Sequence, residues 1–424
     1  MPTSNPPHKL TQKSRLGPPL GAREFVAMMA LCFALNALAI DTMLPALDDI
    51  AAHYQVKNDN HQQWIVFSYL LGFGVPQLFA GPLSDRFGRK MVLRVSFFFY
   101  ILCGFACMMT PTFEALLAVR LCQGVSAAGI RVAANSIVRD LYAGRPMARI
   151  MSLIMTVFMI VPIIAPGVGQ LILNFAHWSW TFGILAIFGI LAWLWIELRL
   201  PETLEPKDRR PLRPKIVAQG YKQVLTNRVT LGYMLASGIL FGALFAFIGA
   251  SEQIFSDIFD QDANFAIWFA GIAGSLAVAS FFNARMVERL GMRRISHIAL
   301  IMFIIFSLIN LGLSYIYGPM MRVFFPLFAL TFACFGMVGA NFSALAMEAL
   351  GKLAGTASAA YGFATSTLSC VIGLVVAGRY DGTLIPVLFG YMMIGVASLL
   401  VVLLTEKGRL FRDGTPEREA QKNQ

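Results

Sequence analysis

Two charged side chains interrupt long apolar stretches of this sequence, and both could do chemistry inside a membrane. Asp41 is the only carboxylate well inside an apolar run, and Arg120 lies within another. An ionisable group in a bilayer costs several kcal/mol, so each is a candidate functional residue. A carboxyl group can take up and release a proton, whereas a guanidinium keeps its proton and needs a partner or water. Asp41 is therefore the candidate proton carrier, and Arg120 is the fixed charge near it.

The predicted depths of these residues support a shared site. Asp41 lies about five residues before the outer end of its helix, roughly 8 Å deep at the rise of an α-helix. Arg120 lies about seven residues from the outer end of its own helix, roughly 10 Å deep by the same rise. Both could face one polar cavity and stabilise each other's charge. The alternative for Asp41 is an acid at a helix end that only meets water.

The composition requires a membrane for these helices. Hydrophobic residues make up 57% of the chain and charged residues 13%, whereas soluble proteins carry about 25% charged residues. Apolar runs long enough to span a bilayer indicate transmembrane helices. Twelve occur, so the predicted fold class is all-α, a polytopic membrane protein, with helices at about 25–46, 63–81, 91–110, 113–137, 149–173, 178–198, 230–251, 264–283, 296–315, 323–346, 355–377 and 384–405. Pro76, Pro162, Pro166 and Pro326 predict kinks.

The net charge of +11 encodes orientation and not a nucleic-acid partner. Most Lys and Arg residues fall in the two tails, 1–24 and 406–424, and in alternate loops, which the positive-inside rule places in the cytoplasm. The polar segment 199–229 separates two six-helix halves, 25–198 and 230–405. The six cysteines all lie within predicted helices, and no histidine or carboxylate accompanies them. They are expected to pack, and no metal site or cofactor is expected.

The most specific motif is the charged segment Gly81–Lys90, between the second and third helices. Gly81 and Pro82 are expected to end the second helix, and Gly88 to permit a close turn. Arg86, Arg89 and Lys90 would hold the segment in the cytoplasm, with Asp85 as a local partner. A weaker copy occurs between the eighth and ninth helices, where Glu288, Arg289 and Gly291 match Asp85, Arg86 and Gly88. The repeat indicates two related halves.

Helix four carries further candidates. Gln123 and Gly124 follow Arg120, and Arg139-Asp140 closes the helix near the expected position of the Asp85 segment. Gln123, Arg131 and, in helix one, Asn36 are candidates for lining a substrate cavity. Arg131 could line the inner vestibule, attract anionic groups or extend to the interface, and the sequence does not decide among these roles.

Together these motifs resemble the major facilitator superfamily, in particular its twelve-helix drug:proton antiporters of the Bcr/CflA type. The matching residues are Asp41–Leu47, Gly81–Lys90, Arg120 with Gln123-Gly124, Pro166-Gly167 with Gly169, Leu200–Leu204 and Ala354–Ala360. The resemblance implies two pseudo-symmetric six-helix bundles and maps the helix-four arginine of the family on Arg120 and its helix-one acid on Asp41. It implies that Asp85, Arg89 and Asp140 form a network that locks the outward-open state. It also implies an antiporter motif at Pro166, Gly167 and Gly169.

One position departs from the resemblance. Some exporters of this type carry a second acid two turns before the first, and Phe33 occupies that position here. Transport of dications is therefore not expected, and lipophilic neutral or monocationic compounds fit better. The resulting prediction is a monomeric exporter in the bacterial inner membrane, with both termini cytoplasmic, that exchanges protons for small drugs. The alternative is a permease or exporter for one metabolite. The five histidines are scattered and form no catalytic set, so an enzyme is not expected.

Overall fold

The computed structural model describes residues 21–142, 144–204, 206–209, 214–348 and 354–411, so most of both predicted tails lies outside the described residues. Over this part the chain folds into fifteen α-helices joined by short turns, which confirms the all-α fold class. Eleven stretches are long and apolar enough to cross a bilayer alone, and one bent pair of helices makes a twelfth span.

The spans follow the chain in order, with short connections between most of them. In the first half lie α1 (Ala22–Asp41), α2 (Leu47–His53), α3 (Trp64–Gly74), α4 (Gln77–Phe87), α5 (Arg89–Cys107), α6 (Phe113–Leu141), α7 (Gly144–Phe175) and α8 (Trp180–Arg199). After α9 (Pro214–Thr226) come α10 (Arg228–Gln253), α11 (Phe265–Leu290), α12 (Met292–Tyr317), α13 (Met321–Glu348), α14 (Ala354–Ala377) and α15 (Ile385–Thr405).

The first span is longer than predicted. It runs over Ala22–His53 and consists of α1, a break at Thr42–Met43, a 3-10 turn at Leu44–Ala46 and α2. Pro45 begins the new segment instead of ending the span, because proline is well tolerated in the first turn of a helix. Asp41 is consequently the last residue of α1 and lies near the middle of the span. The predicted position, five residues from the outer end, is wrong.

The prediction that Gly81-Pro82 ends the second helix is also wrong. The bend of 46° lies earlier, between α3 and α4 at the predicted Pro76 kink, and α4 continues through Pro82 to Phe87. Gly88 alone separates α4 from α5, with φ of 99°. This left-handed conformation suits glycine, which has no Cβ to clash. The bundle face that carries Gly88 is called the loop face below, and the opposite face the far face.

Pro82 is accommodated inside α4 by a partner from a distant part of the chain. A proline has no N–H, so the carbonyl of Leu78, four residues earlier, loses its helical partner. The Tyr221 hydroxyl, on α9, donates a hydrogen bond of 2.8 Å to this carbonyl. Burial raises the pKa of Tyr221, which keeps the hydroxyl protonated as a donor. A helix in the connecting segment thus completes the second span.

The weaker repeat has the same backbone geometry as the first. Gly291 alone separates α11 from α12, with φ of 79°, as Gly88 does between α4 and α5. The following Arg293 forms ion pairs with Glu406 at 2.9 Å and with Glu348 at 3.4 Å. The second copy therefore has its own charge cluster at the loop face, although the sequence indicated only a weaker copy of the motif.

Candidate functional site

Arg120 lies completely buried in α6, at the junction of three spans. Its guanidinium donates hydrogen bonds to the Ala39 carbonyl at 2.9 Å, to Gln123 Oε1 at 2.7 Å and to the Ile65 carbonyl at 3.4 Å. It also lies over the Tyr69 ring, 4.4 Å from the ring centre. These contacts join α1, α3 and α6 around one permanent charge.

Asp41 is 3% exposed, and within the described chain its carboxylate has neither a hydrogen bond nor an ion pair. Arg120 binds the backbone of Ala39, two residues before Asp41, and not the Asp41 carboxylate. The two residues are therefore neighbours in depth, as expected, but the direct pairing suggested by the sequence is not formed. A buried carboxyl group without a protein partner is free to exchange a proton according to its surroundings.

Polar groups surround this pair on the same helices. The Tyr69 hydroxyl donates to Asn36 Oδ1 at 3.0 Å, and both residues are buried. Gln123 accepts from Arg120, but its Nε2 atom has no partner in the described structure, nor has the buried Thr42 hydroxyl next to Asp41. Asn36 and Gln123 thus lie in the polar region around Arg120.

The predicted antiporter motif packs against the break that follows Asp41. Pro166, Gly167 and Gly169 lie within continuous α7, so Pro162 and Pro166 do not interrupt this helix. A Cβ atom at Gly169 would clash with the Thr42 carbonyl oxygen, and it would lie 3.0 Å from Pro45. At Gly167 the nearest atom to such a Cβ is 4.0 Å away, on Ala266 of α11. Gly169 therefore allows α7 to approach the Asp41 break closely.

The three residues assigned by position to a charge network lie in contact at the loop face. Arg89 donates to Asp85 at 2.5 Å and to Asp140 at 2.8 Å, and Gly81 and Arg86 lie on the preceding helix α4. Each of these residues belongs to the first half. In the described structure the network therefore braces α4, α5 and α6 together, and its formation does not itself require contact with the second half.

The sequence reasoning did not assign a role to Glu202, which completes this network. Its carboxylate accepts from the backbone N–H groups of Arg89 at 3.0 Å and Lys90 at 3.1 Å. These N–H groups have no partner within the helix because they lie at the start of α5, where a negative charge is favourable. A Cβ atom at Gly88 would lie 2.5 Å from Glu202 Oε2. The only signal was the resemblance over Leu200–Leu204.

Replacing Arg89 by alanine is expected to destabilise the first half more than replacing Arg94, one turn and a half later on α5. Arg89 is buried and binds two partly exposed carboxylates, so its loss costs about 1–3 kcal/mol. Arg94 pairs with Glu197 while 48% exposed, and such pairs contribute under about 1 kcal/mol. Thermal unfolding of the purified variants measures the difference. Equal losses for the two variants would contradict a bracing role for Arg89.

At the far face, hydrogen bonds donated by side-chain amides of the first half close the two halves on each other. Gln63 Nε2 donates to Gln253 Oε1 at 2.5 Å, and Gln62 Nε2 donates to Glu252 Oε2 at 3.2 Å. Asn60 Nδ2 donates to the Tyr380 carbonyl at 2.9 Å. The sequence reasoning did not find these residues, although two pairs of polar residues at the ends of apolar runs were a signal. The far face is therefore closed, and the path between the halves does not open there.

The comparisons agree with this architecture. The profile of the Major Facilitator Superfamily matches residues 29–374, so the chain belongs to this superfamily of membrane transporters. A bicyclomycin resistance protein homolog from Haemophilus influenzae is 29% identical over 89% of this chain and 94% of its own length. The multidrug resistance protein MdtL from Escherichia coli is 28% identical over 92% of this chain and 97% of its own length.

Another relative and a solved structure complete the comparison. An uncharacterized transporter of this superfamily from Bacillus subtilis, YdgK, is 32% identical over 84% of this chain and 90% of its own length. The structure of the xylose transporter XylE from Escherichia coli, in a partially occluded inward-open conformation, has a TM-score of 0.71 at 13% identity. The match covers 93% of this chain and 99% of the XylE chain, which shows a shared fold.

Proposed function

We propose that this protein exports small amphipathic compounds in exchange for protons, by alternating access between two six-helix bundles. The observation that carries the proposal is Asp41, a carboxyl group that is buried in the first span and has no partner among the described residues. The Arg120 guanidinium binds the Ala39 carbonyl, two residues before Asp41, and so holds a positive charge near this carboxyl group. Protonation of Asp41 then changes the net charge of the interior, and a bound substrate changes how favourable that protonation is.

The arrangement of the helices supports alternating access. The far face is closed by amide hydrogen bonds between the halves, and the break after Asp41 packs directly on Gly169 of α7. A change of charge at Asp41 therefore acts where α1 ends and the irregular segment before α2 begins. In this proposal the proton gradient supplies the energy, no cofactor takes part, and the network around Arg89 holds α4, α5 and α6 together while the halves move.

The relatives named above for antibiotic and multidrug resistance support export of drugs. The substrate carries at most one positive charge, because Phe33 replaces the second acid of some drug exporters. We place the loop face and both termini in the cytoplasm of a bacterium, in its inner membrane, since most Lys and Arg residues lie on that side. The protein acts as a single chain.

Resistance measurements in a strain that lacks its own drug pumps test this function. Cells that express the protein are expected to tolerate several compounds of a diverse panel better than cells with an empty vector. A protonophore is expected to abolish drug efflux from cells preloaded with the same compounds. Resistance to a single compound would favour a dedicated exporter, and efflux that survives collapse of the gradient would contradict proton exchange.

A further inference from the structure

Arg131 is a third charge in the interior of the first half, and the proton exchange proposed above gives it no role. Its guanidinium carbon lies 5.3 Å from the centre of the Phe33 ring, 5.7 Å from that of Phe73 and 5.8 Å from that of Phe158. These rings belong to α1, α3 and α7, while Arg131 belongs to α6. Four helices of the first half therefore surround this half-buried cation.

The depth of this site excludes an arginine that extends to the membrane surface. Phe33 lies about eleven residues after the start of α1, which is roughly 16 Å at the rise of an α-helix. Arg131 lies about ten residues before the loop-face end of α6, roughly 15 Å by the same rise. Because the ring contacts fix the guanidinium at this depth, it stays in the interior.

The guanidinium has aromatic faces around it but no acceptor. Within the described chain Arg131 forms no hydrogen bond and no ion pair, whereas Arg120 on the same helix has three acceptors. The six predicted apolar runs of the second half contain no Asp or Glu, and its buried Glu252 lies at the far face, where it accepts from Gln62. A guanidinium carries five N–H donors, and leaving them unpaired in the interior is costly. This site therefore suits a ligand that brings an acceptor.

We propose that Arg131, with Phe33, Phe73 and Phe158, is the substrate-recognition site and binds uncharged aromatic compounds that carry an acceptor oxygen. The acceptor receives hydrogen bonds from Arg131, and the aromatic part packs on the phenylalanine rings. Phe73 immediately precedes Gly74, where an added Cβ would lie 2.7 Å from Thr367 Oγ1 of α14. The site is thus close to the surface on which the two halves meet.

The charges of the interior select the charge of the substrate, an argument that rests on proton exchange at Asp41. Arg120 and Arg131 leave the interior of the first half positive whether Asp41 is protonated or not, so a cationic substrate is repelled at this site. An anion would be attracted, but it would also favour the protonated form of Asp41. A proton would then move together with the anion and not in exchange for it. Exchange therefore favours an uncharged substrate with a strong acceptor.

Binding of four naphthalene probes to the purified full-length protein, without a proton gradient, tests this assignment. Acetonaphthone is uncharged with an acceptor oxygen, ethylnaphthalene lacks the oxygen, naphthylmethylammonium is a cation and naphthoate is an anion. Acetonaphthone is expected to bind more tightly than ethylnaphthalene and naphthylmethylammonium, whereas naphthoate is expected to bind with uptake and not release of a proton. Arg131→Gln is expected to weaken its binding by about tenfold or more and to remove its advantage over ethylnaphthalene.

The matched control is Arg285→Gln. Arg285 also lies over a phenylalanine, 4.2 Å from the Phe281 ring centre, but it is exposed on α11, and its replacement is expected to leave all four affinities unchanged. Arg131→Lys should retain part of the preference, since it keeps the charge. Equal binding of acetonaphthone and ethylnaphthalene to the unaltered protein would overturn the proposal. So would an unchanged affinity in Arg131→Gln, or release of a proton on binding of naphthoate.

This experiment separates the recognition site from the transport mechanism. Substrate-induced proton release, measured on the same protein in weakly buffered solution, reports exchange at Asp41. If the binding order holds but no proton is released, recognition by Arg131 stands and proton exchange fails. If protons are released but Arg131→Gln binds acetonaphthone normally, proton exchange stands and the recognition site is wrong.

Discussion

Replacing Asp41 by asparagine is expected to reduce proton-coupled export to the background of empty liposomes while substrate binding persists. Asparagine has nearly the same shape as aspartate but cannot ionise. Because the Asp41 carboxylate has no hydrogen bond in the described structure, the change removes a proton site without breaking a network. Transport driven by an imposed pH gradient in proteoliposomes measures the loss, and binding to the purified protein measures what is retained.

Asp49→Asn is the matched control for this experiment. Asp49 lies on the same span, in the first turn of α2, and is exposed. Its replacement removes the same charge from the same span but should leave export close to that of the unaltered protein. Substrate-induced proton release that continues in Asp41→Asn would show that another group carries the proton. A loss of binding together with export would show that Asp41 contacts the substrate.

The second large effect is expected at the glycines of α7, which should differ sharply although they are only two residues apart. Gly169→Ala places a methyl group against the Thr42 carbonyl, so α7 must move away from the break that follows Asp41. Overpacking of this kind costs about 1–3 kcal/mol. We expect a lower unfolding temperature and a loss of most export, because the displaced backbone is the one that carries Asp41.

Gly167→Ala gives the comparison within the same motif. The nearest atom to the added methyl group lies 4.0 Å away, on Ala266, which is ordinary contact. Alanine also favours a helix over glycine by up to about 1 kcal/mol. Gly167→Ala should therefore unfold at the same or a higher temperature and should export normally. If both variants lost export equally while remaining folded, the motif would act through flexibility of α7 and not through close packing at Gly169.

The spans themselves could be predicted from the sequence because apolar length is a local property. The seventh to twelfth predicted helices agree with α10 to α15 within a few residues, apart from the loop-face extension of α11 to Leu290. The repeat at Gly291 also predicted equivalent geometry in the two halves. The first and second spans were the exceptions. Pro45 and the acids after it resemble the end of a helix, but Pro45 lies in a 3-10 turn and the acids begin α2, which extends the span to His53. Gly81-Pro82 also resembles a helix end, but α4 continues to Phe87.

Contacts between distant residues could not be predicted in this way. Nothing near Pro82 indicates that the Tyr221 hydroxyl will donate a hydrogen bond to the freed Leu78 carbonyl. Nothing near Arg120 indicates that its acceptor is the Ala39 backbone and not the Asp41 side chain. The sequence placed the two charges at a shared depth but could not show how they pair. Arg131 is the clearest case, because only the positions of the phenylalanine rings exclude its extension to the interface.

The helix between the halves has a mechanical consequence for the whole transporter. Through Tyr221 α9 binds the first half, while Val224 packs in a small apolar cluster with Met234, Ala357 and Ala360 of the second. A flexible connection would only hold the halves near each other. A folded connection that contacts both halves adds interactions that must break or rearrange when one half rotates relative to the other. The connecting segment therefore restrains the relative motion of the two halves. Exchanging it for a Gly/Ser chain of equal length would alter the rate of the transport cycle even though the halves stay joined.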